Sequence, residues 1–261
     1  MLDFHCHLIP GVDDGAASIE EARSGLQAMV ADGISEIIAT PHITASLASS
    51  VAADRYLERV AEGWADLQSL VSAEFAGLTI HRGFEVMLDV PHPRLDNPLL
   101  RLAGTSFVLV EFPFMNVPPN SDVALRELVA AGLVPIIAHP ERYSNIGADP
   151  GLIRAWRDLG AYLQVNGGSL LGAYGARARD ISWMLLGEGT ADYVCSDYHS
   201  RGRCALGAAR KALQERGLAE QVNVLFSNAG SIVRNERPHP VLPFAEKPLS
   251  RWRRLLRFGK N

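Results

Sequence analysis

Leu133-Val134-Pro135-Ile136-Ile137-Ala138-His139 is the stretch on which the fold turns: six uncharged, apolar residues, then a histidine. Consecutive apolar residues mark a strand covered by helices on both faces of a parallel sheet, whereas a half-solvated antiparallel strand alternates. Val108-Leu109-Val110 reads the same way within a strand expected over 106–112. Further outward, similar runs lie at 2–7, 34–40, 78–86, 161–166 and 191–197. Helical patterns fall between them at 18–32, 52–74, 122–131, 150–159, 176–187 and 202–216. Ser18-Ile19-Glu20-Glu21 has the capping-box form of a helix start, and Asp32-Gly33 that of a helix stop. Strands alternating with helices imply parallel pairing and right-handed crossovers, so the chain reads as seven βα-type units of an α/β barrel.

The bulk numbers agree with one barrel. At 261 residues, 48% of them hydrophobic, the chain has length and apolar content for a single packed domain. Its formal net charge of -4 argues against general nucleic-acid binding, which favours a basic surplus. Cys6, Cys195 and Cys204 are odd in number and form no CxxC, which fits reduced thiols in a cytoplasmic protein. Met1-Leu2-Asp3-Phe4-His5 lacks the basic start and apolar stretch of a signal peptide. No apolar run is long enough to cross a bilayer. Composition shifts at Arg237, so a barrel over 1–236 and a proline-rich linker with a basic amphipathic tail over 237–261 are expected. That tail could touch anionic lipid or remain solvated.

The informative pattern is positional. Of eight histidines, five fall at the C-terminal ends of the expected strands: His5, His7, His42, His139 and His199. His81, His92 and His239 have no such pattern around them. Glu85, Glu111 and Asp197 also end strands, and Asp14 lies in the loop after the first. That edge is where catalytic groups collect in parallel α/β barrels. His5 and His7 are two apart on a strand and so point the same way, and Asp197-Tyr198-His199 repeats the spacing. Four carboxylates brought together would repel one another unless cations or protons intervened. Imidazole and carboxylate ligands suit Zn, Mn or Fe, and so many ligands imply two or three ions. Multinuclear sites of this kind are typical of phosphoester hydrolysis. Asn166, at the end of the sixth expected strand, is a candidate for hydrogen-bonding a ligand or substrate, or for a structural place in the turn Asn166-Gly167-Gly168.

Asp3-Phe4-His5-Cys6-His7, Val12-Asp13-Asp14-Gly15, Thr40-Pro41-His42, Gly83-Phe84-Glu85, Glu111-Phe112, Ala138-His139-Pro140-Glu141-Arg142-Tyr143 and Ser196-Asp197-Tyr198-His199 resemble the polymerase-and-histidinol-phosphatase (PHP) superfamily. The likeness covers residues 1–234 and points to its bacterial manganese-dependent protein-tyrosine phosphatases, the capsule and exopolysaccharide regulators. It implies a distorted (β/α)7, TIM-like barrel, a cytoplasmic enzyme, and three divalent ions, with Mn expected and Fe or Zn as alternatives. His5, His7, Glu85 and Asp197 would hold the first ion. Glu85 would bridge to a second, bound also by Glu111 and His139, and Asp14, His42 and His199 would hold the third. Arg142 would contact the phosphate, Arg201 or Arg203 would supply a further arginine, and His42 or His199 would assist the leaving group after attack by a metal-activated hydroxide. The expected substrate is a phosphotyrosine protein, a bacterial tyrosine kinase controlling polysaccharide export, and relatives are often oligomeric. Ile43-Thr44-Ala45-Ser46-Leu47-Ala48 departs from the pattern, being uncharged where relatives often carry basic or further histidine residues.

Other readings compete. Cys195 and Arg201 fit the Cys-x5-Arg spacing of cysteine-dependent phosphatases, but the loop between them holds Asp197 and no glycine to cradle phosphate. A small phosphoester such as histidinol phosphate could be the substrate. An amidohydrolase would place a histidine where this chain has Asn166. A metal-stabilised regulator that binds a kinase without turnover is the reading from another class.

Overall fold

The computed structural model describes residues 1–148, 150–216 and 219–243. The basic segment at 251–258 lies outside the described residues. Among the described residues there are nine parallel strand segments: β1 (Leu2–Cys6), β2 (Glu36–Ala39), β3 (His42–Thr44), β4 (Thr79–Arg82), β5 (Glu85–Met87), β6 (Phe107–Glu111), β7 (Val134–Ala138), β8 (Tyr162–Asn166) and β9 (Tyr193–Cys195). They form a three-stranded sheet, β1-β2-β4, and a six-stranded sheet, β3-β5-β6-β7-β8-β9.

The strand expected over 78–86 is broken in two, and the one expected over 34–40 is followed after Pro41 by a further short strand; both interruptions have causes. Pro41 has no N–H to give the ladder, and it separates β2 from β3. Gly83 separates β4 from β5, where a Cβ would stand 2.9 Å from Leu102 Cδ2 and 3.0 Å from its Cα. The two sheets therefore run on through seven strand positions. The ring is joined at its seam by two backbone bonds, Asp197 N–H to His5 O at 2.9 Å and His7 N–H to Tyr198 O at 2.9 Å. This is a distorted α/β barrel.

The helices are α1 (Ile19–Ala31), α2 (Ala45–Ala48), α3 (Ala53–Glu74), α4 (Ser121–Ala130), α5 (Pro150–Asp158), α6 (Gly167–Leu170), α7 (Gly175–Gly187), α8 (Leu206–Glu215) and α9 (Ala219–Val233). Ser18 caps α1 by accepting the Glu21 N–H, as its sequence implies. The third unit, where no helix was expected, carries two 3-10 turns, Pro98–Leu100 and Leu102–Gly104. Helix α9 was not anticipated, because its buried face includes Asn228 and Ser231, which interrupt the apolar period.

Alternate residues of each strand serve two apolar layers. Val108 and Val110 face the helices in the larger cluster. Phe107 and Leu109 join Phe4, Ile38, Ile136 and Tyr193 in a smaller one. Glu111 shares their face, so the site sits above that inner layer. Helix α9 completes the layer from the other end with Ala229 and Ile232. It spans that end: Asn228 Nδ2 donates to Asp192 O at the start of β9, and Asn235 Oδ1 accepts from Ser106 N just before β6. Asn228 also pairs with the backbone of His239 through both amide atoms, and Val241 is buried. The first part of the proline-rich segment is thus packed onto the barrel.

Candidate metal centre

The strand ends bring nine sequence-predicted residues to one place. His5 Nε2 lies 3.1 Å from Glu85 Oε2 and 3.3 Å from Asp197 Oδ1. His7 Nε2 lies 3.4 and 3.6 Å from the same two oxygens. His42 Nδ1 is 3.1 Å from Glu85 Oε2 and 3.4 Å from Glu111 Oε1, while its Nε2 is 3.4 Å from Asp14 Oδ1. His199 Nε2 reaches that Asp14 oxygen from the other side at 3.5 Å. His139 Nε2 is 3.0 Å from Glu85 Oε1 and 3.8 Å from Glu111 Oε2.

Three adjoining groups could each hold an ion: His5, His7, Glu85 and Asp197; His42, Glu85 and Glu111; and His7, Asp14, His42 and His199. The first matches the set implied by the resemblance. The third adds His7 to the implied trio. In the second, His42 stands where the resemblance puts His139, which approaches the same two carboxylates from across the barrel.

Charge and hydrogen bonding test whether cations fit. His5 Nε2, His7 Nε2, His42 Nδ1, Glu85 Oε2 and Glu111 Oε1 are buried, and none makes a hydrogen bond. Several approach one another closely without hydrogen-bond geometry, as ligand atoms aimed at a common point do. Buried polar atoms left unpaired are costly, and cations satisfy these nitrogens and oxygens together. Without ions, protons take that part. Burial opposes a charged His42, yet the close Glu111 and Glu85 carboxylates push it up to about 10. Burial likewise opposes charge on His5 and His7, and their carboxylate partners raise both nonetheless. Burial would raise Asp197, but the charge of His5 and the nearby His7 ring hold it well below the usual carboxylate range.

A surrounding layer aims the ligands. Gln164 Nε2 donates to Asn166 Oδ1 at 2.8 Å, which leaves Gln164 Oε1 to accept from His5 Nδ1 at 2.8 Å. Asp13 Oδ2 accepts from His7 Nδ1 at 2.8 Å and from the His42 N–H at 3.2 Å. Each bond fixes a tautomer and frees the other ring nitrogen for an ion. Asp13 and Gln164 were missed from the sequence. The available signal was a polar residue facing inward from an otherwise apolar strand in one case, and the doubled Asp13-Asp14 in the other.

The other candidates divide. Arg142 Nη1 donates to Asp197 Oδ2 at 2.7 Å, and its guanidinium lies 4.5 Å from the centre of the Tyr174 ring, a second residue the sequence did not mark. Glu141, its chain neighbour, is buried and accepts the Asn166 N–H, so the two do not form a surface pair. Asn166 is fully buried, with its side chain committed to Gln164 and Asp197. Arg201 donates to Asp14 O from an exposed position, and Arg203 is also exposed. His81 and His92 pair with Glu36 and Glu127 outside the cluster. Cys195 is fully buried, and burial pushes its thiol well up, so no thiolate nucleophile is available there.

Two ligand positions strain the backbone. His139 has φ 35° and Asp197 φ 53°, in the left-handed region. Such residues cost roughly 1–3 kcal/mol each and cluster at functional sites.

Fold and site together define a barrel protein with a candidate multinuclear metal centre at its strand ends. Residues 1–234 match the model of the family described as capsular polysaccharide synthesis, CpsB/CapC, and the chain belongs to that family. The tyrosine-protein phosphatase YwqE of Bacillus subtilis is 31% identical over 250 residues, covering 92% of this chain and 96% of its own. The putative tyrosine-protein phosphatase CapC of Staphylococcus aureus is 27% identical, covering 98% and 100%. A solved structure superposes with a TM-score of 0.76 at 28% identity, covering 94% of this chain and all of that one. It comes from work on YwqE from Bacillus subtilis and CpsB from Streptococcus pneumoniae, described as unique metal-dependent tyrosine phosphatases. The likeness read from the sequence thus holds at the level of family and fold. Among the described residues no helix is long and apolar enough to cross a membrane.

Proposed function

We propose that this chain is a metal-dependent protein-tyrosine phosphatase of capsule or exopolysaccharide synthesis, acting on the phosphotyrosines of a bacterial tyrosine kinase. The observation that carries the reading is the convergence of five buried nitrogens and oxygens that make no hydrogen bond, His5 Nε2, His7 Nε2, His42 Nδ1, Glu85 Oε2 and Glu111 Oε1. His5, His7, Glu85 and Asp197 are assigned to one ion, Glu85, Glu111 and His139 to a second, and Asp14, His42 and His199 to a third, with manganese the expected metal. Bound divalent ions supply Lewis acidity and an acidified water at neutral pH.

The protein's own groups do the rest. Arg142 spends one N–H on Asp197 and keeps others for a phosphate, whose oxygens its planar fork can grip. Arg201 and Arg203 add positive charge at the exposed margin. A tyrosine phenolate leaves with a pKa of about 10, so it needs less proton donation than a serine alkoxide, and His42 or His199 is the group assigned to meet it. Asn166 holds Asp197 in place.

Three free, buried thiols fit the cytoplasm, where the kinase substrate also resides. Self-association and contact of the basic tail with anionic lipid belong to the same reading. Sedimentation velocity and vesicle co-sedimentation test them.

The decisive assay compares p-nitrophenyl phosphate hydrolysis by chelated and Mn-reconstituted protein, with elemental analysis of both. Phosphotyrosine peptide, phosphoserine peptide and histidinol phosphate are then compared as substrates. Turnover by protein proven free of metal would end the reading. A preference for histidinol phosphate would remove its protein substrate.

A further inference from the structure

Beside the ion-facing atoms lies an open cavity of about 450 Å³. Asp14, His42 and Glu111 border it, so it abuts two of the three candidate ion groups. The rest of its wall includes Thr44, Leu47, Tyr56 and Met87 and carries no formal charge apart from Asp13.

Strand geometry explains why an apolar wall stands next to an ionic floor. Side chains two apart on a strand share a face and rise by about 6.6 Å. Glu85 and Met87 share a face of β5, and His42 and Thr44 share a face of β3. Each strand thus offers an ion-facing residue and, one step further out, a wall residue. Val86 and Ile43, between them, are buried in the core.

The wall is held ready. Thr44 Oγ1 accepts the Leu47 N–H at 3.1 Å and caps α2. Asp89, in the loop after β5, accepts the Ser46 N–H at 2.9 Å. The Tyr56 hydroxyl donates to the carbonyl of His42, which ties that wall residue to an ion-facing one. Met87 adds a thioether, which makes favourable contacts with aromatic rings.

We infer that this cavity takes the phenyl ring of phosphotyrosine, with Leu47 and Met87 as the residues that select an aryl phosphate over an alkyl one. The inference rests on the phosphatase reading above and specifies its substrate preference. Phosphotyrosine carries its phosphorus a ring's length further from the peptide backbone than phosphoserine does. A phosphoserine side chain that brought its phosphate to the ions would leave the wall without an apolar partner.

The test uses metal-loaded protein and two phosphonates that are not hydrolysed. Calorimetric titration should give phenylphosphonate tighter binding than methylphosphonate. In L47A and in M87A, at wild-type metal content by elemental analysis, that advantage should fall roughly tenfold, as loss of apolar contact in a pocket does. The ratio of kcat/KM for phosphotyrosine over phosphoserine peptide should fall with it. Wild-type ratios retained in both variants would overturn the assignment while leaving the phosphatase reading intact. No aryl preference in the unsubstituted protein, in binding or turnover, would overturn both. A measurement on the unsubstituted chain stands independently of how the variants fold. With diamagnetic zinc bound, ring protons of phenylphosphonate should show Overhauser contacts to the Met87 methyl group, and their absence would place the ring elsewhere.

Discussion

Gln164 and Asp13 control the centre without facing an ion. Each holds the far nitrogen of a histidine, so that the near one keeps its lone pair. Removing such a partner typically costs 10- to 100-fold in metal affinity. Q164L and D13N are therefore expected to bind Mn roughly 10- to 100-fold more weakly, as read by competition with a chelating dye, while their circular dichroism stays native. Tyr174 has a comparable place beside Arg142. Y174A should raise KM for p-nitrophenyl phosphate more than it lowers kcat, and Y174F, which keeps the ring under the guanidinium, should restore it. Protons and ions compete for the same lone pairs. Because carboxylate partners raise His5, His7 and His42, with His42 near 10, apparent Mn affinity should increase steadily between pH 6 and pH 9. Isothermal titration in buffers of differing ionisation enthalpy would also count the protons released.

At the scale of elements, α9 and the backbone pairing at His239 close the end of the barrel away from the ions. Ile232 is fully buried between α9 and the inner apolar layer. I232A should cost ~2–5 kcal/mol in urea unfolding, with metal content unchanged in the folded fraction. This element also marks the boundary of what the sequence disclosed. Strands such as β6 and β7 were legible because both faces are buried, one under helices and one in the inner layer, and every residue but Glu111 is apolar. The strand-end histidines and acids were legible because position and residue type coincide. Helix α9 was not, since Asn228 turns inward to serve backbone groups of distant segments, and buried Ser231 donates to the Asn228 carbonyl within the helix, so polar residues interrupt its apolar face. The break at Gly83 was hidden for a related reason, being settled by Leu102, a neighbour remote in the chain. Likewise, nothing near Gln164 in sequence announces His5 as its partner.

For the molecule as a whole, ions and fold are linked. A ligand that binds only the native state stabilises it by roughly 2.7 kcal/mol at a hundredfold excess over Kd. Chelation should therefore lower Tm as well as abolish turnover, and added Mn should restore both in parallel in one calorimetric series. C195S should leave the Mn-dependent rate intact, because that sulfur is enclosed in the core. The left-handed backbone at His139 and Asp197 carries this linkage to a further consequence. Glycine at either point would let the chain relax by ~1–3 kcal/mol when no ion is present. The side chain would go with the strain, and at Asp197 the Arg142 guanidinium and the buried Asn166 amide would lose their acceptor. The tension stored at these two residues is thus held in place by the polar groups their side chains gather.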